Sequence, residues 1–391
     1  MDLKESVRNQ TDVGLRMTRH LFLAEAKGQN MVFSPLSIHV VLSMIAASTK
    51  GPTQDELLSS LKSMSTGELN SLASNLLPFV FADGSPSGGP CLSFGNGVWV
   101  DESLPLKPSF KEVVDTFYKA AQKHVDFQNK AEEARAEVNS WAEKQTKGVI
   151  REVLPPQAVD SSTRVIFANA LYFKGTWDDD PFLYSKTKDY VFHLLNGRSI
   201  IEAPFMTIYK RQFISAFDGF KVLKLPYKQA YGEKRRFCMC LFLPDEKDGL
   251  PALVERVCSE PGFLDRHIPY FKDEVGIVKI PKFKITSWFE VWGILEQLGL
   301  KLPFHLTEMV EAPPGQDLFV PKMLHKAVIE VNEEGTEAAA VTVTSASLSL
   351  APCKPRKTVD FVADHPFLFL IREEMTGAVL FIGQLLNPLQ G

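Results

Sequence analysis

Cysteine is scarce in this chain: five residues, Cys91, Cys238, Cys240, Cys258 and Cys353, among 391. So sparse and odd-numbered a set does not resemble the dense, even framework of a disulfide-stapled secreted domain, and free thiols are expected. An excess of one charge is also missing. The formal net charge is −4, the pI lies near 6.1, and the basic residues are spread along the sequence. That distribution leaves no electrostatic footprint for nucleic acid, and no such partner is expected. Long apolar runs are absent as well: the best window, "MVFSPLSIHVVLSMIAAS", carries a proline, a histidine and four serines. The opening "MDLKESVRNQ" lacks the charged-then-apolar order of a signal peptide. No membrane partner is expected, and the reading is of a cytoplasmic protein, with extracellular release by an unconventional route left open.

Catalytic signatures are missing in the same way. There is no P-loop, no G-x-G-x-x-G and no H-E-x-x-H, and the eight histidines are scattered. Cys238 and Cys240 flank Met239 in a strand and share one face, but with no second Cys or His pair nearby they read as small core residues rather than metal ligands. "GSPSG" at 84–88 has the outline of a nucleophile elbow with Pro86 in the place of the serine. No nucleophile, base and orienting group come together, so neither an enzyme nor a cofactor is expected.

What is present is core-forming material, at 45% hydrophobic and 10% aromatic residues, which excludes disorder over most of the chain. The first 150 residues read mostly as helices: one over "TDVGLRMTRHLFLAEA", a nearly all-apolar one from "SIHVVLSMIAAS", another started by Thr53 after a Gly-Pro break, and one opened by Pro108. "AEEARAEVNSWAEKQTKG" reads as a helix ending at Gly148, and "TRVIFANALYF" as a strand buried on both faces, because its apolar residues run on without alternation. The last 200 residues are mainly strand, including "RRFCMCLFLP", "EVGIVKIPKFKIT" and "HPFLFLIRE", with a helix at "FEVWGILEQLGL". Helices first and strands later indicates an α+β fold, and no linker long enough to divide it is present, so residues 1–391 read as a single domain. His325, opening "HKAVIEV", reads as a hydrogen-bonding core donor rather than a base.

One stretch fits neither class: "NEEGTEAAAVTVTSASLSL" at 332–350 begins like an exposed turn and continues like a buried strand. Six segments around it and elsewhere appear together in order: "FSPLSI" (33–38), "TKGPTQDEL" (49–57), "NALYFKGTW" (169–177), "HKAVIEVNEEGTEAAA" (325–340), "DFVADHPFLFLI" (360–371) and "LFIGQLLNP" (380–388). With these the chain resembles the serpins, and most closely the plant serpins. The resemblance implies a serpin fold of three β-sheets with eight or nine helices. It also implies a reactive-centre loop at about 333–355, and suicide inhibition of a serine or papain-like cysteine protease as a monomer forming a covalent 1:1 complex. The hinge comprises Glu333, Glu334, Gly335, Thr336, Glu337, Ala338, Ala339 and Ala340. By the family's spacing the scissile bond lies between Ser349 and Leu350, with Leu348 setting specificity. Ser34, Ser37, Asn169 and His325 correspond to the polar cluster where the main sheet opens, and Trp177, Lys282 and Glu333 to the place where insertion starts, Lys282 pairing with Glu333.

The stretch has its own physics. From Gly335, one face carries Thr336, Ala338, Ala340, Thr342 and Thr344, all small and uncharged, while Glu337 falls on the other. No proline interrupts Gly335 to Ala351, so every N–H on that path is free for a ladder. The bulkier Val341 departs from the family's usual hinge, and no arginine stands at the cleavage position, which argues against trypsin-like targets. The competing reading is a non-inhibitory serpin used for storage, carriage or chaperoning, whose hinge would tend to carry charged, bulky or proline residues.

Overall fold

The N-terminal helix, Leu3–His20, begins well before the segment whose periodicity announced it and buries Val7, Val13 and Met17 along one stripe. Helix Pro35–Ala47 follows, with Ser34 as N-cap and Pro35 in the first turn. It is buried nearly all round, as an apolar helix in a domain centre must be. The next helix starts at Pro52 rather than Thr53, because proline's fixed φ suits the first helical position and Gly51, at φ +64°, makes the preceding turn. The computed structural model describes residues 2–26, 28–195, 200–208, 211–301, 303–311, 318, 323–336 and 358–391.

Among the described residues there are nine α-helices and three sheets, of seven, six and four strands. The six-stranded sheet runs Phe283–Glu290, Leu324–Val331, Gly335–Thr336, Val165–Thr176, Cys91–Asp101 and Ala121–Val125. Both of its faces are covered. Val98, Val100 and Phe167 join the main core, whereas Trp99 and Ala168 face a second cluster with Phe127, Val138 and Ala142 of helix Phe127–Gln145. This is why strand Val165–Thr176 shows no hydrophobic alternation.

"EVGIVKIPKFKIT" is not one strand. Val275–Pro281 pairs with Ile200–Ile208 in the four-stranded sheet, while Phe283–Glu290 pairs with Leu324–Val331 in the six-stranded one. Lys282 lies at the switch, its N–H donating to Pro204 O at 2.8 Å. The expected helix at "FEVWGILEQLGL" shrinks to Trp292–Gln297, because Phe289 and Glu290 belong to the ladder opposite His325 and Leu324. Cys238 and Cys240 are buried side by side with their sulfurs 3.7 Å apart.

Candidate functional site

Strand Leu324–Val331 turns back on itself at Asn332–Glu334, where Glu334 N–H donates to Asn332 Oδ1 at 3.0 Å and Asn332 N–H to Gly335 O at 3.0 Å. The chain then passes between two strands: Thr336 pairs with Val331 on one side, and Gly335 and Thr336 pair with Thr176 and Gly175 on the other. Only glycine fits at 335, since φ is +157° and a Cβ there would lie 1.9 Å from Gly175 O. Gly175 is constrained from behind, because a Cβ on it would meet the Tyr227 ring at 2.6 Å.

Thr336 is 2% exposed, and its Oγ1 lies 2.5 Å from Tyr227 Oη. Burial pushes the Tyr227 pKa well up, so a neutral phenol faces the threonine hydroxyl. Tyr227 stacks on Trp177 with centroids 4.7 Å apart and 14° between the planes. Trp177 clamps the turn: its indole N–H donates to Asn332 O at 2.9 Å and its backbone N–H to Glu334 O at 2.9 Å.

Two acids precede the glycine. Glu333 is buried, with Oε2 2.8 Å from Lys282 Nζ and Oε1 accepting from Thr187 Oγ1 at 2.7 Å. Burial alone would raise its pKa; the Lys282 ammonium, the Thr187 hydroxyl and a backbone N–H outweigh that and hold it below the usual carboxylate value. Glu334 accepts from the Tyr184 hydroxyl, and this bond, with some desolvation, lifts Tyr184 to about 12. The charge of Glu333 is thereby tied to the residue where one sheet hands over to the other.

Farther down the strand, His325 Nε2 accepts from Ser34 N–H at 3.1 Å. The imidazole is thus an acceptor at this nitrogen rather than the donor expected, and burial lowers its pKa to about 4. A neutral ring accepting at Nε2 carries its proton on Nδ1. Ser34 Oγ accepts from Ser37 N–H at 3.2 Å, and among the described residues the buried Ser37 hydroxyl has no partner. Asn169 is bonded elsewhere: its Nδ2 donates to Asn96 Oδ1 at 2.7 Å, and Asn96 Nδ2 donates to Tyr118 O at 2.8 Å. Ser34, Ser37 and His325 therefore meet directly, while Asn169 joins a neighbouring pair across the ladder.

Glu337, Ala338, Ala339, Ala340, Leu348, Ser349 and Leu350 lie outside the described residues, as does Cys353. Sequence reasoning missed Tyr227, Thr187, Tyr184, Asn332 and Asn96. Only Asn96 left a trace, an amide between two glycines in the middle of strand Cys91–Asp101. Among the described residues no group of acids, histidines and cysteines is placed to hold a metal, and no helix is long and apolar enough to cross a membrane. The site's chemistry is hydrogen bonding and charge pairing around a chain reversal.

Against known proteins, the family described as "Serpin (serine protease inhibitor)" matches residues 8–388. Serpin-ZX of Arabidopsis thaliana is 51% identical over the whole of both chains. Serpin-ZXA of Oryza sativa subsp. japonica is 50% identical over 99% of this chain and 98% of its own. Among solved structures, Arabidopsis AtSerpin1 in its native stressed conformation superposes with a TM-score of 0.89 at 49% identity, covering 100% of this chain and 99% of that one. A cleaved Serpin 42Da superposes at 0.83 with 26% identity, covering 98% of each chain.

Proposed function

This chain belongs to the serpin family, and from that premise we propose that it inhibits proteases as a suicide substrate, residues 1–391 acting as one domain. The protease nucleophile attacks the Ser349 carbonyl, the bond to Leu350 breaks, and the new amine of Leu350 leaves while Ser349 stays esterified, or thioesterified, to the enzyme. The freed segment from Glu337 onward then enters the six-stranded sheet between Leu324–Val331 and Val165–Thr176. About 13 residues at ~3.3 Å each would carry the tethered protease roughly 43 Å, to the far end of the sheet. The ladder bonds gained, at ~0.5–1.5 kcal/mol apiece, amount to something on the order of 10–20 kcal/mol. A protease domain stable by ~5–15 kcal/mol is distorted by a pull of that size, and deacylation stops. The product is a covalent 1:1 complex.

The observation that carries this reading is the place of Gly335 and Thr336, laddered on both sides with the Thr336 side chain buried. The first residues of the stretch stand where an added central strand would begin, and the uncharged face that follows Thr336 suits the same interior. Trp177, Lys282 and Glu333 hold the starting point, and Ser34, Ser37, Asn169 and His325 are the polar groups beside which the strands part. Leu348 and Ser349 suit a papain-like cysteine protease or an elastase-like serine protease, met in the cytoplasm or after unconventional release. Incubation with papain-like, subtilisin-like and chymotrypsin-like proteases should give a complex that survives SDS, and mass spectrometry should place the cut at Ser349–Leu350. Rapid cleavage with no such complex and no gain in thermal stability would refute inhibition.

A further inference from the structure

A cysteine at the start of one strand of the six-stranded sheet meets a lysine just beyond the helix that covers it, one strand over from the hinge, for Cys91 pairs with Lys174 and Thr336 pairs with the next residue, Gly175. Cys91 opens strand Cys91–Asp101, and Lys147 stands just beyond helix Phe127–Gln145, which lies over that sheet. Lys147 Nζ is 2.6 Å from Cys91 Sγ and 3.4 Å from Asp83 Oδ2. Lys147 adopts φ +51° and Gly148 φ +90°, so the helix ends with a lysine in the left-handed region, where glycine or asparagine is usual. Both side chains are partly exposed, within reach of a small oxidant.

The other described thiols differ. Cys238 and Cys240 are fully buried, and burial pushes Cys258 up to about 12. Cys91 is the partly exposed thiol that a small oxidant reaches with an amine at its sulfur. The separation of nitrogen and sulfur is also short for a hydrogen bond to sulfur, and close to the span across a single bridging oxygen.

We propose that Cys91 and Lys147 form an oxidation-dependent covalent crosslink, sulfur to oxygen to nitrogen, with hydrogen peroxide as oxidant. Cys91 sulfur attacks one peroxide oxygen; the S–O bond forms, the O–O bond breaks, and the thiol proton leaves with the other oxygen as water, giving a sulfenic acid. Lys147 releases its surplus ammonium proton to solvent. A second peroxide then accepts two electrons as the N–O bond forms, one proton leaving the nitrogen and one the sulfenic oxygen, with two further waters. Overall one thiol and one amine lose four electrons to two peroxides. The bridge ties the start of the strand to the end of the helix and does not depend on how the chain meets a protease.

The test treats the full chain with hydrogen peroxide, digests it without reductant and sequences the peptides by mass spectrometry. The expected product is a peptide pair joined through Cys91 and Lys147, heavier than the two peptides together by one oxygen and lighter by two hydrogens, and released by excess thiol. Lys147→Arg, which keeps the charge, and Cys91→Ser should give no joined pair, with folding checked by circular dichroism. Closing a loop between residues 56 apart also restricts the unfolded chain, so oxidised wild type should melt above its reduced form while oxidised Lys147→Arg should not. An unmodified Cys91 overturns the proposal, as does oxidation of Cys91 at the same rate in wild type and Lys147→Arg with no joined pair. A pair joined without the oxygen overturns the bridge.

Discussion

His39 and His325 are each lowered to about 4 by burial, and both are therefore neutral at pH 7. Their folded-state values lie below the ordinary imidazole value, so their contribution to stability is fully present above about pH 6.5 and is lost as pH falls toward 4. For one such histidine the loss between pH 7 and pH 5 is about 2 kcal/mol. At His325 the proton would compete for Nε2, the atom that accepts from Ser34 N–H. Glutamine keeps an acceptor for that N–H and has nothing to titrate. Urea unfolding of His325→Gln should show a pH 7 to pH 5 loss smaller than wild type by about 2 kcal/mol. Equal losses in the two proteins would remove His325 as a source of acid sensitivity.

At the scale of elements, the informative place is the switch at Lys282. The ion pair with Glu333 joins the crossover between two sheets to the turn that leads into Gly335, and its partners are unequally placed: the Glu333 side chain is 2% exposed and that of Lys282 35%. Removing the ammonium by Lys282→Met leaves a buried carboxylate with Thr187 as its remaining side-chain partner, at an expected cost of about 1–3 kcal/mol. Glu333→Gln instead frees a lysine that turns to water, and should cost less than about 1 kcal/mol. Thermal unfolding of both variants gives the order directly; a larger loss from Glu333→Gln would show that the pair is not asymmetric in this way. Little of this could be read from local pattern. "EVGIVKIPKFKIT" keeps strand-forming residues on both sides of Pro281 and Lys282, where the proline is a local mark of a break, and the pairing partners, Ile200–Ile208 before it and Leu324–Val331 after it, assign the two strands to different sheets. The helix Pro35–Ala47 and the strand Val165–Thr176 were legible because burial on all sides writes itself as continuous apolar sequence. Partners far apart in the chain were not: Ser34 and His325 are separated by 291 positions, and no spacing rule joins them. Their grouping with Asn169 came from family resemblance, and the structure splits that group by giving Asn169 to Asn96.

For the molecule as a whole, inhibition through insertion requires the hinge to take the place of a central strand without burying a charge. Thr336 is the described residue on which that condition bears, since its side chain already lies against Tyr227 between Val331 and Gly175. Thr336→Arg would bring a guanidinium against the buried neutral phenol of Tyr227, at a cost of several kcal/mol unless the segment withdraws from the sheet. Thr336→Val keeps the size and β-branching and loses one hydrogen bond, about 0.5–1.5 kcal/mol, which the ~10–20 kcal/mol gained from a full ladder exceeds. With circular dichroism confirming both folds, a protease trapped by wild type should also be trapped by Thr336→Val, whereas Thr336→Arg should be cleaved at the reactive bond and release active enzyme. Equal trapping by the two variants would mean that Thr336 need not stay in the sheet during inhibition, and the reading in which the inserted strand continues from Gly335 and Thr336 would have to be abandoned.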